Sequence, residues 1–181
     1  MKTPLSQHKK TTFLNNEKNK QNLVNRLGEC LEYHGFKVLH SRDDADFFIT
    51  KTAVRAATTK PAIVIGDDTD LLCLLVFHTH EGCHQMTLST STKSWNIQHL
   101  RLKMGEDMCK HIFFLHAFSG CDTTSRIFLS NKDKMLKLYS VHPELRRAAA
   151  VFSDKDSTKK DIVDAGEKRM LFCTMAKMQN P

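Results

Sequence analysis

The chain has 181 residues, which fits one domain or most of one, because domains commonly contain about 100–150 residues. Hydrophobic residues make up 40% and charged residues 26%, as in ordinary globular proteins, so composition excludes neither an enzyme nor a binding module. The net charge of +7 and the pI near 9.1 favour an acidic partner such as nucleic acid, although Lys-rich helices that only keep a surface solvated explain the same charge.

The six cysteines are scattered without C-x-x-C pairs, and several lie in apolar runs. This pattern predicts reduced, mostly buried thiols in an intracellular protein. The N-terminal region lacks the apolar core of a signal peptide, and the longest apolar runs are far shorter than the ~20 residues of a membrane span. We therefore expect neither secretion nor membrane anchoring, and a nuclear location follows only from the substrate inferred below. The sequence leaves the oligomeric state open.

The N-terminal elements follow from polarity and spacing. Residues 1–12 are polar, and we expect a disordered tail ahead of a domain spanning residues 13–181. Apolar residues then recur at helical spacing before Gly35, which predicts an amphipathic helix that Gly35 ends. The apolar residues of this helix are Leu23, Val24, Leu27 and Leu31.

A strand and a capped helix are expected next. Residues 36–40 (FKVLH) predict a short strand, and either Asp43 or Asp44 can cap the helix that follows. Residues 58–61 should end that helix. Its buried face is expected to consist of Phe47, Phe48, Ala53, Val54 and Ala57.

The middle of the chain contains the strongest strand pattern. Residues 62–66 (AIVIG) have the composition of a central parallel strand that is buried on both faces. They lead into the acidic turn of residues 67–70 (DDTD). Residues 71–78 are uniformly apolar, which fits a buried helix or a strand, and the acids ahead of them favour a helix.

The remaining pattern alternates between strand and helix. Residues 85–90 predict a strand, and Gly105 and Gly120 punctuate the helices around them. The predicted helices span residues 97–104, 108–118, 134–140 and 159–175, with a charged loop around 153–158. This alternation predicts an α/β fold with three layers and a mainly parallel sheet.

Acidic residues follow the apolar segments of this expected sheet. Asp44 and Asp46 come after FKVLH, Asp68 and Asp70 after AIVIG, and Asp122 after the segment HIFFLHAFSG. Ligands of open parallel sheets bind beyond the carboxyl ends of the strands. Converging carboxylates repel each other unless a cation such as Mg²⁺ or Mn²⁺ neutralises them. Any one of these acids is more often a helix cap, so only the joint pattern predicts a metal site.

Three segments carry a family resemblance: DAD (residues 44–46), GDDTD (66–70) and SGCD (119–122). Their order resembles the acidic motifs of flap-endonuclease/PIN-like 5′-nuclease domains. The longer stretches DADFFITKTAV, IVIGDDTDLLCLL and HAFSGCDTTSRIF are still more similar to transposon-associated proteins that carry this domain. A tail resembling DIVDAGEKRML extends the likeness to about residue 171.

The resemblance implies a PIN-like fold and a nuclease that hydrolyses phosphodiester bonds, with DNA favoured over RNA. It implies that Asp68, Asp70 and Asp122 are catalytic and that Asp44 and Asp46 join them in holding one or two Mg²⁺ or Mn²⁺ ions. Two such ions ~3.5–4 Å apart activate a water molecule and stabilise the leaving oxygen. Asp67 is assigned to the turn or to a place behind the metal ligands.

The chain departs from the family pattern at two places. Nothing before residue 36 resembles the earlier acid-bearing strand of the family, so we expect the domain to be incomplete at its N-terminal side. Residues 129–132 (LSNK) stand where relatives have a glycine-rich turn that holds a DNA phosphate. Phosphate binding then falls to Lys132, Lys134 and Lys137, although a solvated helix face explains these lysines equally well.

Other interpretations compete with the nuclease. The main rival is a catalytically inactive remnant that keeps the fold and binds nucleic acid or a protein. AIVIGDD resembles a Walker B strand, but the chain has no GxxxxGK[ST] segment. A dehalogenase-type phosphatase would need an earlier strand that ends in a nucleophilic D-x-D. The cluster of His78, His80, Cys83 and His84 offers zinc ligands at unfamiliar spacing, and we favour a polar loop there.

Overall fold

The computed structural model describes residues 13–121 and 132–167, the side chains of 132–134 excepted. The chain divides into two compact units, with the boundary between Arg42 and Asp43. In the part that the structure describes, none of the helices combines the length and the apolar character that a bilayer-spanning segment needs.

The first unit contains the predicted amphipathic helix, α1 (Glu17–Tyr33). The side chain of Asn16 caps it by accepting a hydrogen bond from the backbone N–H of Asn19 at 3.2 Å. Gly35 follows the helix with a φ of 82°, which a residue with a side chain rarely adopts, and so it serves as the predicted stop.

The prediction of a strand at residues 36–40 was wrong, because this segment forms no strand in the structure. A strand needs a neighbour with which to share its backbone hydrogen bonds. These residues instead lie against α1: a Cβ placed on Gly28 would be 3.4 Å from Cγ1 of Val38 and 3.5 Å from Nε2 of His40. The apolar character of FKVLH therefore reflects contact with a helix.

The second unit contains all three strands and the other helices of the described chain. In chain order the elements are α2 (Ala45–Ala57), β1 (Ala62–Ile65), α3 (Thr69–His78), β2 (Met86–Ser89), β3 (Ser94–Asn96), α4 (Ile97–Met104), α5 (Glu106–Lys110), α6 (Ile112–Ser119), α7 (Lys132–Val141) and α8 (Pro143–Ser153). Residues 159–167 are also helical, and the rest of the helix predicted to residue 175 lies outside the described residues. Strand β3 and helix α8 were not predicted.

The three strands form a mixed sheet in the order β1-β2-β3. Strand β1 runs parallel to β2, with Val64 opposite Leu88, and β2 runs antiparallel to β3, with Leu88 opposite Trp95. The α/β class is therefore confirmed. The mainly parallel sheet is corrected to one parallel and one antiparallel pair within the described chain, since the short link after β2 makes a hairpin. The three-layer PIN-like arrangement stays a prediction.

Strand β1 is buried on one face only, so the prediction of burial on both faces was wrong. Val64 is buried, together with Met86 and Leu88 of β2, whereas Ile63 and Ile65 are 73% and 85% exposed. Alternate side chains of a strand point to opposite faces, and the described helices that contact β1 and β2 cover the face of Val64. Hydrophobic composition alone could not show that the second face is open.

The apolar interior of the second unit forms two clusters. One surrounds the sheet and α3 and includes Leu75, Met86 and Ile97 at 0–1% exposure. The other lies among α6, α7 and α8 and includes Met135 and Leu145 at the same exposure. The helix predicted over residues 108–118 bridges these clusters, and it is interrupted.

The interruption lies at His111, between α5 and α6. Its φ and ψ of −100° and 14° depart from helical values, and its Nδ1 is 2.6 Å from the hydroxyl of Tyr139. Burial lowers the pKa of His111, while Asp107 raises it and Lys110 lowers it to smaller extents. A hydrogen bond to α7 thus accompanies the end of one helix and the start of the next, which periodicity could not reveal.

We predict that Leu75→Ala destabilises the protein by about 2–5 kcal/mol, because it removes a fully buried side chain and leaves a cavity beside the sheet. Leu102→Ala serves as the control, since Leu102 is 82% exposed, and should change stability by less than about 0.5 kcal/mol. Urea unfolding followed by circular dichroism measures both values. Equal effects of the two substitutions would contradict this placement of the core.

Candidate functional site

The turn between β1 and α3 places the second acidic motif. A Cβ on Gly66 would lie 2.9 Å from Cδ2 of Leu71, so the chain passes close to a buried side chain there. Beyond it, Oδ1 of Asp67 accepts a hydrogen bond from the backbone N–H of Ser91 at 2.7 Å. This bond ties the turn to the loop between β2 and β3. Asp67 thus lies in the turn, one of the two places to which it was assigned.

Two of the predicted metal ligands cap helices. Oδ1 of Asp44 accepts from the backbone N–H of Phe47 at 2.7 Å at the start of α2. Oδ1 of Asp68 accepts from the N–H of Asp70 at 2.9 Å at the start of α3. A cap of this kind contributes about 1 kcal/mol and is a sufficient structural reason for an Asp at either position. Each cap is followed by a second acid in the first helical turn, Asp46 in α2 and Asp70 in α3.

The two acid pairs lie close enough for their charges to interact. Burial raises the pKa of Asp46, and the negative charges of Asp68, Asp44 and Asp70 raise it further, in that order. The partners Asp68 and Asp70 belong to a different sequence motif, separated from Asp46 by the whole of α2 and β1. The fold therefore gathers four carboxylates at the N-termini of two adjacent helices.

Asp70 has a partner that the sequence interpretation missed. Nε2 of His116, on α6, lies 2.7 Å from Oδ1 of Asp70. The His116 side chain is 9% exposed and that of Asp70 is 37% exposed. His116 belongs to the HAFSGCD segment that carries the family resemblance, and this was the one signal that could have identified it.

The donor chemistry of the acidic cluster suits Mg²⁺ or Mn²⁺, which prefer carboxylate oxygens. The geometry fits less completely. Within residues 13–121 and 132–167, no three Asp, Glu, His or Cys side chains come together in a way that could hold a metal ion. Asp122, the fifth predicted ligand, lies outside the described residues. The described carboxylates therefore provide part of a metal site and its charge.

The remaining candidate residues lie elsewhere or are only partly described. Lys132, Lys134 and Lys137 all belong to α7, and Lys137 is exposed. The side chains of Lys132 and Lys134 are outside the description, as are residues 129–131 of the turn that was compared with the phosphate-binding turn of the family. The alternative zinc residues follow the end of α3, where Nδ1 of His80 accepts from the backbone N–H of Gly82 at 3.2 Å.

We predict that Asp46→Asn slightly stabilises the metal-free protein at pH 7. Because the folded protein raises the pKa of Asp46, it binds that proton more tightly than the unfolded chain does. The resulting stability is present below the unfolded pKa near 4 and is lost as the pH rises through the folded pKa. Removing the charge should recover less than about 1 kcal/mol, because solvent screens a partly exposed cluster.

Chemical unfolding in EDTA at several pH values measures this effect, with Asp164→Asn as the control, since Asp164 is exposed in the helical residues 159–167. The gain from Asp46→Asn should shrink as the pH falls toward 3. A variant less stable than the parent at pH 7, or a gain independent of pH, would contradict the repulsion inferred for the cluster.

Comparisons with known proteins add no relative to this geometry. A scan against protein-family models, a search of curated proteins and a search of solved structures each gave no match to the chain. The likeness to flap-endonuclease/PIN-like domains therefore rests on the sequence motifs.

Proposed function

We propose that this protein is a divalent-metal-dependent nuclease of the PIN-like kind, which hydrolyses phosphodiester bonds of DNA, or of RNA, at its acidic cluster. One observation carries the proposal: Asp68 and Asp70 lie near enough to Asp46 to raise its pKa, although they belong to a separate motif. Carboxylates gathered in this way cost free energy, which a bound cation would recover.

The chain's own residues have distinct parts in this proposal. Asp44 and Asp68 each use one carboxylate oxygen to cap a helix, and so their orientation is fixed by backbone N–H groups. Asp70 uses Oδ1 for His116 and keeps Oδ2 for a ligand. Bound Mg²⁺ or Mn²⁺ would supply activation of water and stabilisation of the leaving oxygen. Asp122 is proposed as the remaining acid of the site.

The net charge of +7 supports a polyanionic substrate. Exposed Lys137, together with Lys132 and Lys134 of the same helix, is proposed to contact phosphates of the nucleic acid. Contacts of this kind position the backbone and carry no base specificity, so they leave the choice between DNA and RNA to other residues.

A second candidate is a catalytically inactive relative that binds nucleic acid or a protein without cutting. The finding that favours it is the lack of a three-ligand metal group among the described side chains. Two-metal hydrolysis requires ligands on both sides of the reacting phosphate. An inactive relative would keep the helix-capping use of Asp44 and Asp68, which needs no metal.

We predict that the chain cleaves labelled single-stranded, flapped or duplex DNA or RNA in the presence of Mg²⁺ or Mn²⁺, and that Asp68→Asn/Asp70→Asn lowers the rate at least ~100-fold. Loss of direct ligands should exceed the ~10–100-fold effect typical of outer partners. Asparagine also caps helices well, so this variant should keep its fold, which circular dichroism can verify.

Asp164→Asn is the matched control, because it removes one exposed carboxylate outside the cluster and should keep full activity. Cutting that survives in the double variant would indicate a contaminating enzyme or another site. Absence of cutting by the folded parent chain on every substrate, with nucleic-acid binding retained, would favour the inactive relative.

A further inference from the structure

A buried histidine contacts the acidic cluster from the side opposite in sequence. His116 approaches Asp70 across 46 residues of chain, with Nε2 and Oδ1 2.7 Å apart. The other ring nitrogen, Nδ1, is buried and has no hydrogen-bond partner among the described residues. The two nitrogens of this ring are therefore in different environments.

These environments select one form of the ring. An ionised carboxylate only accepts hydrogen bonds, so Nε2 must carry the proton that lies between the two residues. A proton on Nδ1 as well would leave a charged, buried N–H without an acceptor, which costs more than an unused lone pair. The geometry therefore selects the neutral tautomer that is protonated at Nε2.

We propose that His116 is a positioning residue: its Nε2–H fixes the carboxylate of Asp70 so that Oδ2 is presented to a divalent cation. This inference rests on the proposed metal-dependent function. His116 itself is not a ligand, because one nitrogen faces Asp70 and the other is buried. The residue is held firmly, since α6 contacts α3 and the hydroxyl of Ser119 donates to the carbonyl of His116 at 3.0 Å.

Outer partners of this kind orient metal ligands, and their loss typically weakens metal binding ~10–100-fold. His116→Phe keeps the ring shape and removes the donor, whereas His116→Gln keeps an N–H near the place of Nε2. We expect a Kd for Mn²⁺ that is ~10–100-fold higher in the Phe variant and close to that of the parent in the Gln variant. Titration of the full chain, followed by the electron paramagnetic resonance of free Mn²⁺, gives these constants.

His111→Phe is the matched control, because His111 is a half-buried histidine whose Nδ1 bonds Tyr139 away from the acids. It should cost stability and leave the Kd for Mn²⁺ unchanged. Unchanged binding in His116→Phe, or equal weakening in the Phe and Gln variants, would overturn the positioning role.

A second measurement separates this inference from the nuclease proposal. In the metal-free protein, the ¹⁵N chemical shifts of the His116 ring should report the Nε2–H tautomer, and Asp70→Ala should change them while leaving those of His111 in place. A ring protonated at Nδ1, or shifts unaffected by Asp70→Ala, would overturn the hydrogen bond itself. If the parent chain shows these shifts and binds no Mn²⁺, the metal-dependent function fails, and with it the role of His116 toward a cation.

Discussion

The tight turn from β1 into α3 determines where the acidic side chains lie. At Gly66 a side chain would need space that Cδ2 of Leu71 occupies, and Leu71 is buried in the cluster around the sheet. The turn therefore cannot widen without disturbing the core, and α3 begins directly after the end of β1. Asp67 holds the same turn against the β2–β3 loop through Ser91. The positions of Asp68 and Asp70 thus depend on the packing beneath them.

Gathering carboxylates at one place has a free-energy cost that the fold offsets in part. Asp44 and Asp68 accept backbone N–H bonds at helix N-termini, where the helix dipole favours negative charge. Asp70 is held by His116. Asp46 has the least compensation, and its raised pKa reflects both its burial and the charges of its three neighbours. A cation near Asp46 is the simplest addition that would balance this charge.

Local patterns in the sequence predicted much of the fold. Helical spacing identified α1, and the acids ahead of residues 71–78 correctly favoured a helix there. What failed depends on neighbours distant in sequence. The exposure of Ile65 depends on which face of the sheet the helices cover, and FKVLH forms no strand because α1 contacts it.

The candidate site was predictable to a similar extent. The order of the acidic motifs was visible in the sequence, and the fold brings the DAD and GDDTD segments near each other. The contact between His116 and Asp70 joins residues 46 positions apart, so no local pattern could predict it. Nor could spacing tell which carboxylate oxygens would cap helices and which would remain for a ligand.

The central claim is that a divalent cation binds between the N-termini of α2 and α3. Paramagnetic broadening of amide resonances by substoichiometric Mn²⁺ measures this directly, because the effect falls steeply with distance from the ion. The account predicts that the amides of Ala45, Phe47, Thr69 and Leu71 broaden first, while that of Ala148 in α8 does not. Broadening centred on the His80–His84 loop instead, or none at all, would contradict it.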